Sequence, residues 1–148
     1  MIVSYDTIVK NFLQKITEYK LLGLPESTRD DIVQGYMKNA ISDFSKECRE
    51  KVVAFDDENE TVEFENDDLD EIEVVNLIAK GMAFYWMQPY IHHQDLLELR
   101  LNTADFTSYS PAELLKQVRI AYGDVRMEFK HDLREYTYNN GDLTDLHI

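Results

Sequence analysis

Apolar residues recur every three or four positions along most of this chain, which is the spacing of one face of an α-helix. The first stripe predicts a helix from Tyr5 to Tyr19, and the Gly23-Leu24-Pro25 segment that follows contains two residues that end helices. A second stripe predicts a helix from Thr28, which resembles an N-cap, to about Lys51.

The apolar spacing changes to every second position after this helix, as in a β-strand with one buried face. Val52 to Phe55 and Glu60 to Glu65 therefore predict two short strands, joined by the polar turn from Asp56 to Asn59. Val62 and Phe64 are expected to face the core. The pattern predicts a single β-hairpin between the second and third helices.

A third helix is predicted from Leu69 to about Gln88, capped by Asp67 or Asp68 and stopped by Pro89. Its second half is apolar on nearly every side, which is typical of a helix surrounded by other elements. We therefore expect this helix to be central.

The sequence makes specific predictions for three residues in that half. Phe84 and Trp86 are expected to lie in the core because their helix is apolar on nearly every face. Gly81 is expected to let a neighbouring helix approach closely, since glycine has no Cβ atom.

The last helix is the longest. A short helix is expected before it, from Asp95 to Leu101. Ser110 and Pro111 then form a strong start signal, and the helix should run to about Tyr138, before the Asn139-Asn140-Gly141 cap. At 1.5 Å per residue it would be about 40 Å long, more than a compact domain of this size requires. One end is therefore expected to pack on something outside the domain.

The residues after this helix still contain apolar side chains, Leu143, Leu146 and Ile148. Their spacing is suitable for contact with a partner, whereas an exposed tail ordinarily has few such residues. The alternative is that they fold back onto their own domain. The sequence thus predicts one helical domain over residues 1–138 and a tail, residues 139–148, that serves assembly.

Charge excludes one class of function. The 148 residues include 15 basic and 29 acidic ones, giving a formal charge of -14. Proteins that grip nucleic acid do so largely through Lys and Arg, so sequence-specific DNA or RNA binding is not expected. The negative charge serves solubility or, alternatively, a surface that lies beside DNA without adhering to it. No segment has the length and apolar character of a membrane span.

Candidate chemical sites are few. His92-His93 has no second ligand pair at metal-binding spacing. The acidic cluster Asp56 to Glu60 does not fit a calcium-binding loop, because a loop that starts at Asp57 has Val62 at its sixth position, where glycine is needed. Cys48 falls on a buried stripe, as a small apolar residue would. We expect no catalytic residues, no metal and no cofactor, and an enzyme with scattered active-site residues is the alternative that these observations leave open.

Several segments together resemble a known family. They are Leu24-Pro25 before the second helix with its Tyr36, Ala40 and Phe44, Asp68-Leu69-Asp70-Glu71-Ile72-Glu73 at the start of the third helix, Phe84-Tyr85-Trp86-Met87-Gln88-Pro89 at its end, Asp105-Phe106, and Tyr109-Ser110-Pro111-Ala112 before the last helix. In this order the chain resembles the head–tail connector proteins (adaptor or neck proteins) of tailed bacteriophages, over most of its length.

The resemblance implies a mainly α-helical structural protein of the virion neck, assembled in the host cytoplasm. It implies a ring of identical subunits, commonly twelve, that binds the portal protein above and a neck or tail protein below. DNA would pass through the lumen without specific binding. The C-terminal helix and tail would engage the portal or a neighbouring subunit. The expected partner-binding residues are Val125, Phe129, Leu133, Tyr136, Leu143, Leu146 and Ile148.

A different class of function is also compatible with the sequence. An acidic regulatory or inhibitor protein could imitate the charge of nucleic acid and occupy a nucleic-acid-binding partner. The charge of -14 supports this alternative. Its acids concentrate between Asp56 and Glu73, which is more typical of a hairpin and a helix start than of a mimic.

Overall fold

The computed structural model describes residues 1–17, 30–92 and 111–140, and these form four helices and a small sheet. In chain order the elements are β1 (Ile2–Ser4), α1 (Tyr5–Thr17), α2 (Asp30–Cys48), β2 (Val52–Asp56), β3 (Thr61–Phe64), α3 (Glu71–His92) and α4 (Pro111–Asn140). The prediction of a mainly helical protein is confirmed. The short helix predicted from Asp95 to Leu101 and the tail beyond residue 140 lie outside the described residues.

The sheet has three antiparallel strands in the order β1-β3-β2, so the predicted hairpin is confirmed only in part, because a third strand joins it. The hairpin of β2 and β3 is present, and β1 pairs with the other edge of β3, placing Val3 opposite Val62. The Phe64 amide donates to the Met1 carbonyl at 2.8 Å, which extends this pairing. A two-stranded hairpin is marginally stable in water, and the third strand with its buried Val3 provides further support.

The inner face of the sheet closes one end of the helical core. Val62 and Phe64 are buried, as their alternation with Glu63 and Glu65 predicted. The Phe64 ring meets the Phe44 ring of α2 edge to face, with centroids 5.8 Å apart.

α3 is the central helix, because it packs against α1, α2 and α4. Its buried side chains are Val74, Val75, Leu77, Ile78, Ala79, Met82, Ala83, Trp86 and Met87. Trp86 is in the core as predicted. Phe84 is only partly buried, because it lies at the border of α3 and α4, where it stacks on Tyr122 with ring centroids 5.2 Å apart.

Both ends of α3 differ from the prediction. The cap is Asp70, whose carboxylate accepts hydrogen bonds from the amides of Ile72 and Glu73 at 3.1 and 3.4 Å. The helix also continues past Pro89 to His92. Proline lacks the amide that would bond one turn back, but its fixed φ of about −65° is itself helical, so a final turn can follow it. Within the described ranges, none of the helices has both the length and the apolar character that a membrane span requires.

Candidate interaction surface

α4 buries the stripe that the sequence assigned to partner binding. Val125, Phe129, Leu133 and Tyr136 are all buried within the chain's own core, so in this structure they are not a docking surface. The helix is long, but α3 and α2 cover its inner side, and α4 contacts both. The other three predicted residues, Leu143, Leu146 and Ile148, lie outside the described residues.

Side-chain contacts hold the second half of α4 against α2. The Tyr136 ring meets Phe44 at a centroid distance of 5.1 Å, and its hydroxyl donates to Glu50 at 3.3 Å. Burial, and then the charge of Glu50, raise the pKa of Tyr136. α4 continues through Asn140, two residues past the predicted end, and the Asn140 side chain donates to the Tyr136 carbonyl at 3.1 Å.

The opposite side of α4 exposes three large apolar side chains. Ile120, Met127 and Tyr138 are 51%, 71% and 76% exposed. They are 7 and 11 residues apart, close to two and three turns of a helix with 3.6 residues per turn, so they form one line about 27 Å long. We call this line the outer stripe. The spacing of these three residues is visible in the sequence, but the buried stripe of Val125, Phe129, Leu133 and Tyr136 on the inner side of the helix is the stronger signal.

Charges on α4 are sorted by sign on either side of the outer stripe. With 3.6 residues per turn, five exposed bases project on one side and four acids on the other. The bases, which we call the basic flank, are Lys116, Arg119, Arg126, Lys130 and Arg134. The acids, the acidic flank, are Asp124, Glu128, Asp132 and Glu135.

Of the two flanks, only the acidic flank forms ion pairs with a base elsewhere in the described part of the chain. The Lys80 ammonium of α3 pairs with Glu128 at 2.9 Å and with Asp132. Partial burial alone would lower the pKa of Lys80, but hydrogen bonds to Asp132 and Glu128 outweigh it, and the pKa lies above its ordinary value. No base of the basic flank forms an ion pair with a described residue.

Replacing Lys80 with Met is expected to lower the free energy of unfolding by about 1–2 kcal/mol, because Glu128 and the partly buried Asp132 would lose their counter-ion. Denaturant unfolding would measure the loss. The raised pKa of Lys80 means that its contribution is complete below the ordinary lysine pKa and is lost as the pH rises through the folded value. The exposed Lys46→Met change is the control, with an expected effect under about 0.5 kcal/mol. Equal effects of the two changes would contradict the prediction.

A second charged surface is formed by the hairpin and the start of α3. Eleven acids between residues 56 and 73 are exposed, and no base occurs from residue 52 to residue 79. These acids, which we call the acidic end, are Asp56, Asp57, Glu58, Glu60, Glu63, Glu65, Asp67, Asp68, Asp70, Glu71 and Glu73. Exposed apolar side chains lie among or beside them: Ile72 is 82% exposed, Val53 is 53% exposed, and Ile2 pairs with Glu63 across the sheet.

The described residues offer little for catalysis or metal binding. Ligand atoms of His131, Asp132 and Glu135 lie within 4.8 Å of one another. Asp132 is already paired with Lys80, however, and the Lys80 ammonium would repel a cation. The Asp56 carboxylate accepts the Asn59 amide at 3.0 Å, as in a solvated turn. Burial raises the pKa of the Cys48 thiol to about 11, which leaves it protonated at neutral pH. His93 lies outside the described residues.

Comparison with known proteins gives no match: no family model, no curated protein and no solved structure is similar to this chain. The functional argument therefore depends on the residues of the chain itself.

Proposed function

We propose that this chain is a ring-forming subunit of a head–tail connector in a tailed bacteriophage. One observation carries the proposal: α4 fills its inner side with the domain's own core and still exposes the outer stripe on the opposite side. A line of exposed apolar groups about 27 Å long is suited to being covered by another protein. The segments that resemble connector proteins support the same conclusion from the sequence.

In this function the chain is a structural protein of the virion neck and catalyses no reaction. Copies of the chain form the ring, commonly of twelve, the portal protein binds above it, and a neck or tail protein binds below. DNA passes through the lumen without being held, since a subunit with a charge of -14 cannot displace enough counterions from phosphate. The tail residues Leu143, Leu146 and Ile148 remain predicted partner contacts.

Light scattering after size-exclusion chromatography tests the proposal, on the chain alone and mixed with the portal protein of the same genome. A ring-sized assembly is expected, at the latest when the portal is present. Met127→Asp should abolish it, because a carboxylate in the middle of the outer stripe would be buried without a partner. Ile32→Asp, at an exposed apolar residue of α2, is the matched control and should assemble normally. A chain that stays monomeric with the portal would contradict the proposal.

A second candidate function is an acidic protein that mimics nucleic-acid charge. The acidic end favours it, because its eleven carboxylates are exposed and concentrated between residues 56 and 73. A mimic would remain a monomer or dimer in the same measurement. It would also bind a DNA-binding protein in competition with duplex DNA, and the binding would weaken with added salt.

A further inference from the structure

The basic flank of α4 contains a row of like charges. Arg126, Lys130 and Arg134 follow one another at intervals of one helical turn, where side chains are neighbours. Like charges at this spacing destabilise a helix, and the arrangement of α4 places its acids on the other side of the outer stripe rather than between these bases. A row of this kind is stabilised when negative charges approach it.

The acidic end has the complementary composition. Its carboxylates surround or adjoin the exposed Ile72 and Val53, just as the basic flank adjoins Ile120 and Met127. Apolar groups with a charged rim are the usual composition of a protein interface. Seven of the eight large exposed apolar side chains in the described residues belong to α4 or to the sheet and the start of α3. The seven are Ile2, Val53, Phe55, Ile72, Ile120, Met127 and Tyr138.

We propose that the outer stripe and basic flank of α4 bind the acidic end of a second copy of this chain. The inference rests on the proposed function, because it names the contact that would join neighbouring subunits of the ring. Because the two surfaces differ, the contact is head to tail, and each added copy presents a free surface for the next. Such contacts close into rings when the rotation between copies allows it, and otherwise form filaments.

A second copy fits α4 better than nucleic acid does. Phosphates could pair with Arg126, Lys130 and Arg134, but a nucleic-acid backbone offers no apolar groups to cover Ile120 and Met127. Duplex DNA also extends beyond the row, and its further phosphates would face a protein with 29 acidic residues. The acidic end of a neighbouring chain supplies carboxylates and apolar side chains together.

Two charge-reversal variants test the contact by sedimentation velocity at increasing protein concentration and low ionic strength. The α4 variant carries Arg126→Glu, Lys130→Glu and Arg134→Glu. The acidic-end variant carries Glu58→Lys, Glu63→Lys and Asp68→Lys, at exposed positions without ion pairs among the described residues. We expect the wild-type chain to self-associate and each variant alone to remain monomeric. An equimolar mixture of the two should associate, because the α4 variant keeps an intact acidic end and the acidic-end variant keeps an intact basic flank.

The acidic-end variant separates this contact from general charge repulsion. Its three substitutions take the net charge from -14 to −8, so reduced repulsion alone would make it associate more strongly than the wild-type chain. The proposal expects the opposite. Recovery of association in the mixture also shows that both variants are folded, and their melting temperatures provide a second check.

Several results would overturn the inference. They are a wild-type chain that stays monomeric up to its solubility limit, an acidic-end variant that associates like the wild type, and a mixture that does not recover. Binding of duplex DNA that the α4 variant loses, without self-association, would assign the row to nucleic acid instead. The inference and the proposed function fail separately. Normal portal assembly by both variants refutes the contact alone, whereas charge rescue without portal binding refutes the connector alone.

Discussion

Replacing Trp86 with Ala is expected to lower the free energy of unfolding by about 3–5 kcal/mol, the range for large aromatic side chains in a core. Trp86 is 2% exposed and lies on α3, the helix that the other three helices contact. Its ring meets Phe12 of α1 edge to face, with centroids 6.4 Å apart. The cavity left by alanine would therefore weaken the contact between α1 and α3 as well as remove apolar burial.

Chemical denaturation followed by circular dichroism would measure this loss. Tyr138→Ala is the control, because it removes an aromatic side chain that is exposed on α4 and should change stability by less than about 0.5 kcal/mol. A loss below about 1 kcal/mol for Trp86→Ala would mean that α3 is not the centre of the core.

Replacing Gly81 with Val is expected to destabilise the protein by about 1–3 kcal/mol, through overpacking. A Cβ atom at Gly81 would lie 2.7 Å from the Cζ atom of Phe129 and 2.9 Å from the Cβ atom of Ala40. These two residues belong to α4 and α2, so valine would push two helices away from α3 at once. The short side chain of Ala40 and the buried ring of Phe129 leave little room for adjustment.

Gly123 of α4 provides a matched control, since nothing lies within 4 Å of a Cβ atom built there. Gly123→Val is expected to be neutral or slightly stabilising, because valine has a higher helix propensity than glycine. Thermal unfolding of both variants would show opposite or clearly unequal shifts. Similar losses at the two positions would indicate a general intolerance of valine in these helices rather than a close approach at Gly81.

Much of the fold could be predicted from the sequence because its signals are local. Apolar stripes predicted the four described helices, and the alternation around Val62 predicted the hairpin. β1 could not be found in this way, because Ile2–Ser4 is too short to show alternation and its partner, β3, is about 60 residues away. Pro89 indicates a helix stop in the sequence, but its fixed φ of about −65° is compatible with a helix, and α3 continues to His92.

The candidate interaction surface shows a different limit of prediction from sequence. The stripe containing Val125 and Phe129 was recognised from its spacing, but spacing does not reveal whether the same chain or a partner covers it. The length of α4 favoured a partner, whereas α2 and α3 cover the stripe in the structure. The sorting of charges around Ile120 and Met127 can be read from the sequence once the inner side of the helix is known.

Cys48 gives this protein a built-in chemical reporter. Its Sγ donates to the Leu133 carbonyl at 3.5 Å across the contact between α2 and α4, and it is the chain's only cysteine. Thiol reagents attack the thiolate, which a buried group with a pKa of about 11 seldom forms. Alkylation at neutral pH must therefore await separation of the two helices. Its rate, compared with that of the unfolded chain, would measure the free energy of that opening without any engineered label.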